Sequence, residues 1–202
     1  MGVTVVADPY AKEIGYTMPR IRADVVTLSH AHSGHGHVHG MRGHPRVLQC
    51  AGEYEIGGVF ITAVPTFHDS SGGQERGQNL AFVYDWSGLT VCHLGDLGHA
   101  LDQAQLEAVD EIHVLLIPVG GGGALSASDA ADLVSEIEPN IVIPKHYSVD
   151  GLDRDLAPVD PFLKAMGVSG ALPQERLRIG RGQLPQDTQV VVLDPRGSPT
   201  ES

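Results

Sequence analysis

The sequence predicts a single domain of mixed helix and strand in which strands dominate. Three observations carry that expectation: short β-branched apolar runs recur along the 202 residues, one amphipathic helix lies between two of them, and no repeat or linker divides the chain. A composition of 42% hydrophobic and 19% charged residues is an ordinary globular balance that argues against disorder. The length permits a substantial core without requiring a second domain. The domain is expected over residues 1–194, with the polar, Pro- and Gly-containing stretch 195–202 forming a disordered tail.

The first strand is expected over residues 3–6, ending at Asp8-Pro9, because proline restricts the residue before it and lacks a ladder donor. Residues 25–28 form a second β-branched run that leads straight into a histidine cluster. Further strands are expected over 59–64, 80–84, 89–92, 114–117, 141–143, 176–179 and 190–193. Ser126 and Asp129 mark a helix start, Ala130, Val134 and Ile137 repeat at helical spacing, and Pro139 stops the helix. Shorter helices are expected over 103–109 and 161–166, and the glycines at 120–123 must form a loop where backbone comes close to something.

The formal net charge of -12 disfavours phosphate backbones and anionic membranes, so neither nucleic acid nor a membrane is an expected partner. A small-molecule anion is not excluded, because a bound metal ion can dominate the local charge. Cys50 and Cys92 lie far apart, outside any C-x-x-C spacing, and read as free thiols in a reducing compartment. With no leader-like start and no apolar stretch of membrane-spanning length, the expected location is the cytoplasm.

Five of the eleven histidines (His30, His32, His35, His37 and His39) fall within ten residues, where an even distribution would place about half a histidine. Alternation of His30 and His32 just past a strand can aim two imidazoles at one point, which suits a zinc-like ion. The competing reading is a solvated histidine-rich loop that chelates only incidentally. His68, Asp96 and His146 each lie just beyond the carboxyl end of an expected strand, and such convergence is how sheet-based folds assemble a site from distant segments.

These segments resemble the metallo-β-lactamase superfamily, whose signature runs H-x-H-x-D-H followed by a distant His, an Asp and a final His. Here they stand as His30-Ala31-His32-Ser33-Gly34-His35, His68, Asp96 and His146. Gly52-Glu53-Tyr54-Glu55-Ile56, the stretch from Cys92 to His99, and Ile143-Pro144-Lys145-His146-Tyr147 are similar to a small bacterial branch that includes ascorbate-phosphate lactonase-like zinc-dependent hydrolases. The resemblance implies an α+β, four-layer αββα sandwich, here lacking the strand or hairpin that usually precedes the first segment. An edge left without that strand would be open to association with a second copy, a homo-oligomer. It also implies a first metal on His30, His32 and His68 and a second on His35 and His146, with Asp96 bridging. Asp96 and His146 would serve catalysis. The metal would be zinc, one ion or two, with manganese or iron as alternatives.

Position 34 departs from the signature, because Gly34 stands where the family has an aspartate ligand of the second metal. A three-histidine site can still leave a fourth position for water, so one metal can suffice. The implied activity is hydrolysis of a lactone or phosphoester-type bond by hydroxide held on the metal. The alternative is a catalytically impaired metal-binding or regulatory protein. His37 is a candidate substitute ligand, and Asp8 and Asp69 are candidates for orienting ligand imidazoles, although a turn role fits Asp8 equally well. His93 is expected to be a hydrogen-bonded core residue, and one of Lys145 and Tyr147 should point away from the site.

Overall fold

A computed structural model describes residues 2–32 and 36–195, together with the backbone of 198–199. In chain order the strands are β1 (Val5–Ala7), β2 (Tyr16–Thr17), β3 (Val25–Thr27), β4 (Arg46–Leu48), β5 (Gly52–Ile56), β6 (Val59–Phe67), β7 (Gln78–Trp86) and β8 (Leu89–His93). They continue with β9 (Val114–Pro118), β10 (Ile141–Lys145), β11 (Gln189–Val190) and β12 (Ser198–Pro199). The helices are α1 (Gln103–Ala108), α2 (Ala127–Ile137) and α3 (Asp160–Ala165). No helix among the described residues is long and apolar enough to cross a membrane.

Seven strands form one mixed sheet in the order β11-β10-β9-β8-β7-β6-β5, and a second sheet has the order β1-β3-β4. From β5 to β8 the large sheet is an antiparallel meander; β8, β9, β10 and β11 are parallel. Parallel neighbours need crossover connections, and α1 and α2 lie within two of them. The backbone at Ser198–Pro199 pairs antiparallel with β2.

The large sheet is buried on both faces. One face carries Ala81, Cys92, Leu115, Ile117 and Val142 against Ala130, Leu133 and Val134 of α2 and Phe162 of α3. The other carries Val59, Ile61, Phe82 and Tyr84 against Val25 and Leu48 of the small sheet. The α+β sandwich expected from the sequence is therefore present. All three α-helices contribute to the cluster on the large sheet's outer face, and no α-helix among the described residues covers the small sheet. The helix termini follow the sequence signals. Asp102 and Gln105 form a reciprocal capping box on α1, and Ser126 Oγ accepts from the Asp129 N–H on α2.

Several expected boundaries shift. β6 continues to Phe67, past the expected end at Val64, because it stays paired with β7 as far as Gln78, although β5 pairs only as far as Ala63. Pro65 therefore faces a neighbour on one side alone, where a missing N–H is tolerated. The segment 176–179 forms no strand. Leu177 and Ile179 pack against Ile141 and Ile143, but nearby backbone pairing is limited to a bridge between Gln174 and Leu193. The expected strand 190–193 shortens to Gln189–Val190. Edge strands β4 and β5 lacked an apolar signal because each exposes much of its length, including Arg46, Glu53 and Glu55. Charges at such positions oppose edge-to-edge pairing. Both thiols are free: Cys50 is exposed, and complete burial pushes the Cys92 thiol up to about 12.

Candidate metal centre

Five strands deliver their following residues to one region between the two sheets. Asp8 follows β1, Ser29 and His30 follow β3, His68 follows β6, Asp96 follows β8 and His146 follows β10. Two of these turns use a left-handed backbone on a non-glycine residue, with φ of 45° at Asp8 and 52° at His146. That conformation costs about 1–2 kcal/mol. It turns the chain at the strand end, and such strain concentrates where a side chain must be aimed.

His30, His32 and His68 bring one nitrogen each to within 4.8 Å of one another. Their ring centroids lie 4.8–4.9 Å apart in edge-to-face arrangements. His30 and His68 are buried while His32 is exposed, so the cluster opens to solvent on one side. Asp96, 1% exposed, lies beneath them with its two oxygens facing different partners. Oδ2 is 3.5 Å from His30 Nε2 and 3.5 Å from His68 Nε2. Oδ1 is 3.2 Å from both His146 Nδ1 and Lys145 Nζ.

Burial alone would raise the Asp96 pKa. Lys145 and the hydrogen bonds from His146 and His68 outweigh it, and the carboxyl is held well below its ordinary value. For His68, burial disfavours the imidazolium, but hydrogen bonding and charge from Asp96, aided by backbone carbonyls, hold its pKa above the usual value. An ionised carboxylate and clustered imidazoles at this depth are chemically suited to a divalent metal, which would require the neutral ligand nitrogens to be presented to it. Among the described residues, His30, His32 and His68 would hold the ion, with Asp96 and His146 beside it.

The supporting residues explain this aim. Asp8 accepts from the Ser29 N–H at 2.7 Å and from Ser29 Oγ at 2.5 Å, and Ser29 Oγ is 2.8 Å from His30 Nδ1. This chain leaves His30 Nε2 as the atom turned toward Asp96. Asn79, fully buried in β7, donates to Thr66 Oγ1 and the Leu94 carbonyl and accepts from the Asp96 N–H at 3.0 Å. His99 accepts from the Phe67 N–H at 3.0 Å, fixing the residue before His68. Replacing Ser29 by alanine removes the link to Nδ1 but keeps the backbone donor to Asp8. Zinc affinity is expected to fall about 10–100-fold, the usual effect of losing a partner behind a ligand. A competition titration checks this, and an unchanged affinity would remove Ser29 from the orienting role.

Other expected residues fall differently. His35 and Gly34 lie outside the described residues. His37 is exposed, its ring lies beside Gly40, and it is not among the clustered nitrogens. Asp69 does not orient His68. It accepts from the N–H groups of Ser71, Gly73, Glu75 and Arg76, which overcome partial desolvation and lower its pKa. Its role is to close the turn after His68. His93 is buried, as expected, yet its Nε2 lies 4.0 Å from Asp8 Oδ2 and its side chain borders the cleft. Lys145 reaches Asp96, while Tyr147 packs against the helix-side core. Ser29, Asn79 and the Lys145 contact carried no sequence signal, since each acts through a partner distant along the chain.

The centre opens into a cleft of about 710 Å³. Cationic Arg76, Lys145 and Arg154 border it, with apolar walls from Tyr10, Ile14, Leu152 and Leu156. Gly122 of the glycine run borders this cleft, and close neighbours constrain the run. A Cβ on Gly120 would lie 2.3 Å from the His146 carbonyl oxygen, and one on Gly123 would lie 2.2 Å from Arg76 Nε. A second recess of about 460 Å³, near Leu177 and Ile179, has no histidine in its lining.

Two packed sheets with histidines and a buried aspartate at the strand ends define the metallo-β-lactamase fold. A sequence profile for the Beta-lactamase superfamily domain matches residues 1–146, and the chain belongs to that superfamily. A UPF0173 metal-dependent hydrolase of Natranaerobius thermophilus is 31% identical over 109 residues, 54% of this chain and 47% of the relative. A UPF0173 metal-dependent hydrolase of Pyrococcus abyssi is 35% identical over 99 residues, 48% of this chain and 44% of the relative. The aligned stretches thus span about half the length of these relatives. A crystal structure of a metallo-β-lactamase superfamily protein from Thermotoga maritima superposes with a TM-score of 0.77 at 37% identity. It covers 94% of this chain and 88% of that one. The similarity to a metallo hydrolase of Ignicoccus hospitalis, TM-score 0.57 at 20% identity over 88% of this chain and 78% of that one, shows the fold alone.

Proposed function

We propose that this chain is a metal-dependent hydrolase of small lactone or phosphoester-type substrates that carry an anionic group. The observation that carries the reading is the cluster of His30, His32 and His68 nitrogens above a buried, ionised Asp96 at the base of an open cleft. A bound zinc, manganese or iron ion would activate water and polarise the oxygen of the bond under attack. The protein's own groups do the rest. Asp96 accepts a hydrogen bond from the attacking water and fixes its direction. His146, bordering the same cleft, stands as proton donor to the leaving oxygen. Arg76 and Arg154 at the cleft wall favour an anionic substituent, while Ile14, Leu152 and Leu156 receive its apolar part. Two free thiols support a reducing compartment, the cytoplasm.

The test is turnover of a panel of aryl phosphodiesters and of neutral and carboxylated lactones by the metal-loaded chain. Activity is expected on an anionic member, lost on chelation and restored by added zinc or manganese. Arg76→Ala is expected to raise KM for that substrate about 10-fold, equivalent to about 1.4 kcal/mol, without affecting a neutral lactone. Metal bound with no turnover across the panel would favour the metal-binding or regulatory reading, for which Gly34 is the motivating observation.

A further inference from the structure

The two oxygens of Asp96 differ in what they face. Oδ2 lies toward His30 and His68, the side where three histidine nitrogens converge. Oδ1 lies toward His146 Nδ1 and Lys145 Nζ, each at 3.2 Å. On a carboxylate shared by two metals one oxygen would go to the second ion; here Oδ1 is taken by the Lys145 ammonium and by His146. The ammonium's placement is built into the sheet. Lys145 is the last residue of β10, registered opposite Pro118 of β9, and its carbonyl accepts from the Val119 N–H at 3.1 Å. Its side chain is 20% exposed, so water screens it only in part. The sequence alters the same side in the same sense, because Gly34 offers no side-chain ligand where the superfamily signature places a carboxylate. One negative ligand is absent and one positive charge is present, and both changes oppose a second dication.

We propose that Lys145 serves as a resident cation in place of the second metal, making the centre mononuclear. This rests on the metal-dependent reading above. The ammonium neutralises Oδ1, keeps Asp96 ionised without a second ion and leaves Oδ2 directed at the single metal. It also places a fixed positive charge beside His146, where an anionic substrate group would meet it.

The experiment counts zinc on the 202-residue chain by native mass spectrometry and by elemental analysis after gel filtration. The parent, Gly34→Asp, Lys145→Met, Lys145→Arg and the Gly34→Asp/Lys145→Met pair are compared, with circular dichroism confirming that each is folded. One zinc per chain is expected in the parent, in Gly34→Asp and in Lys145→Arg, and two in the double variant. Two zinc ions in the parent would overturn the assignment of Lys145 while leaving the metal-dependent reading intact. So would a second ion bound equally well by Gly34→Asp and by the double variant. No tight zinc in the parent would instead overturn the metal-dependent reading, and this proposal with it. Should Lys145→Met fail to fold, Gly34→Asp and Lys145→Arg decide the matter: a second zinc in either refutes the proposal.

Discussion

Replacing His68 by alanine is expected to weaken zinc binding by more than about 100-fold and to abolish any metal-dependent turnover. A lost ligand exceeds the 10–100-fold effect typical of residues behind ligands. His68 is one of only two buried nitrogen donors in the three-histidine cluster, and its Nε2 also faces Asp96 Oδ2 at 3.5 Å. Its removal takes away a donor and a partner of a buried carboxylate together. The fold should survive, since His68 follows β6 and its backbone N–H still donates to the Gly77 carbonyl. Zinc titration and circular dichroism on the same sample separate the two effects. A folded variant that retains parental affinity would show that the metal, if bound, sits elsewhere.

Gly95→Ala is expected to be strongly destabilising and to disturb the site. Gly95 has φ of +60°, where a Cβ costs about 1–2 kcal/mol on backbone grounds alone. The added carbon would lie 2.3 Å from Asn79 Oδ1 and 2.6 Å from Ser29 Cβ, both held in well-packed surroundings. Overpacking of that kind adds about 1–3 kcal/mol, giving a total of about 2–5 kcal/mol. For a chain of this size that lowers Tm by on the order of 10 °C. Zinc affinity should fall as well, because Asn79 positions the Asp96 backbone and Ser29 positions His30. Gly58→Ala is the control: its φ is +83°, but nothing lies within 4 Å of the added Cβ. Equal loss of stability in both variants would show that backbone strain alone matters at Gly95.

Much of the site was legible because ligand-type residues were spaced as a signature along the chain. His30, His32, His68, Asp96 and His146 each followed a recognisable strand, and all five meet in the structure. The residues that orient them were not legible. Ser29, Asn79 and His99 are ordinary polar residues whose roles exist only once β3, β7 and the segment after β8 are adjacent. Asp69 was misjudged for the same reason: proximity to His68 in sequence suggested an imidazole partner, whereas its carboxylate is taken up by four N–H groups of the following turn.

Strands followed a similar rule. Buried strands such as β9 and β10 announced themselves through apolar β-branched runs, because burial on both faces demands them. Edge strands β4 and β5 did not, since an exposed edge selects against that composition. The apolar alternation at 176–179 was satisfied by packing against Ile141 and Ile143 instead of by backbone pairing.

By itself, then, the sequence determined the order of strands through its hydrophobic periodicity and, through its resemblance to the metallo-β-lactamase signature, the fold class, because both are carried by residue identity at fixed spacing. Only the tertiary structure decided which oxygen of Asp96 faces histidines and which faces Lys145. That distinction depends on a side chain from β10 crossing to a loop after β8. Contacts between segments 49 residues apart are set by sheet register and have no local signature.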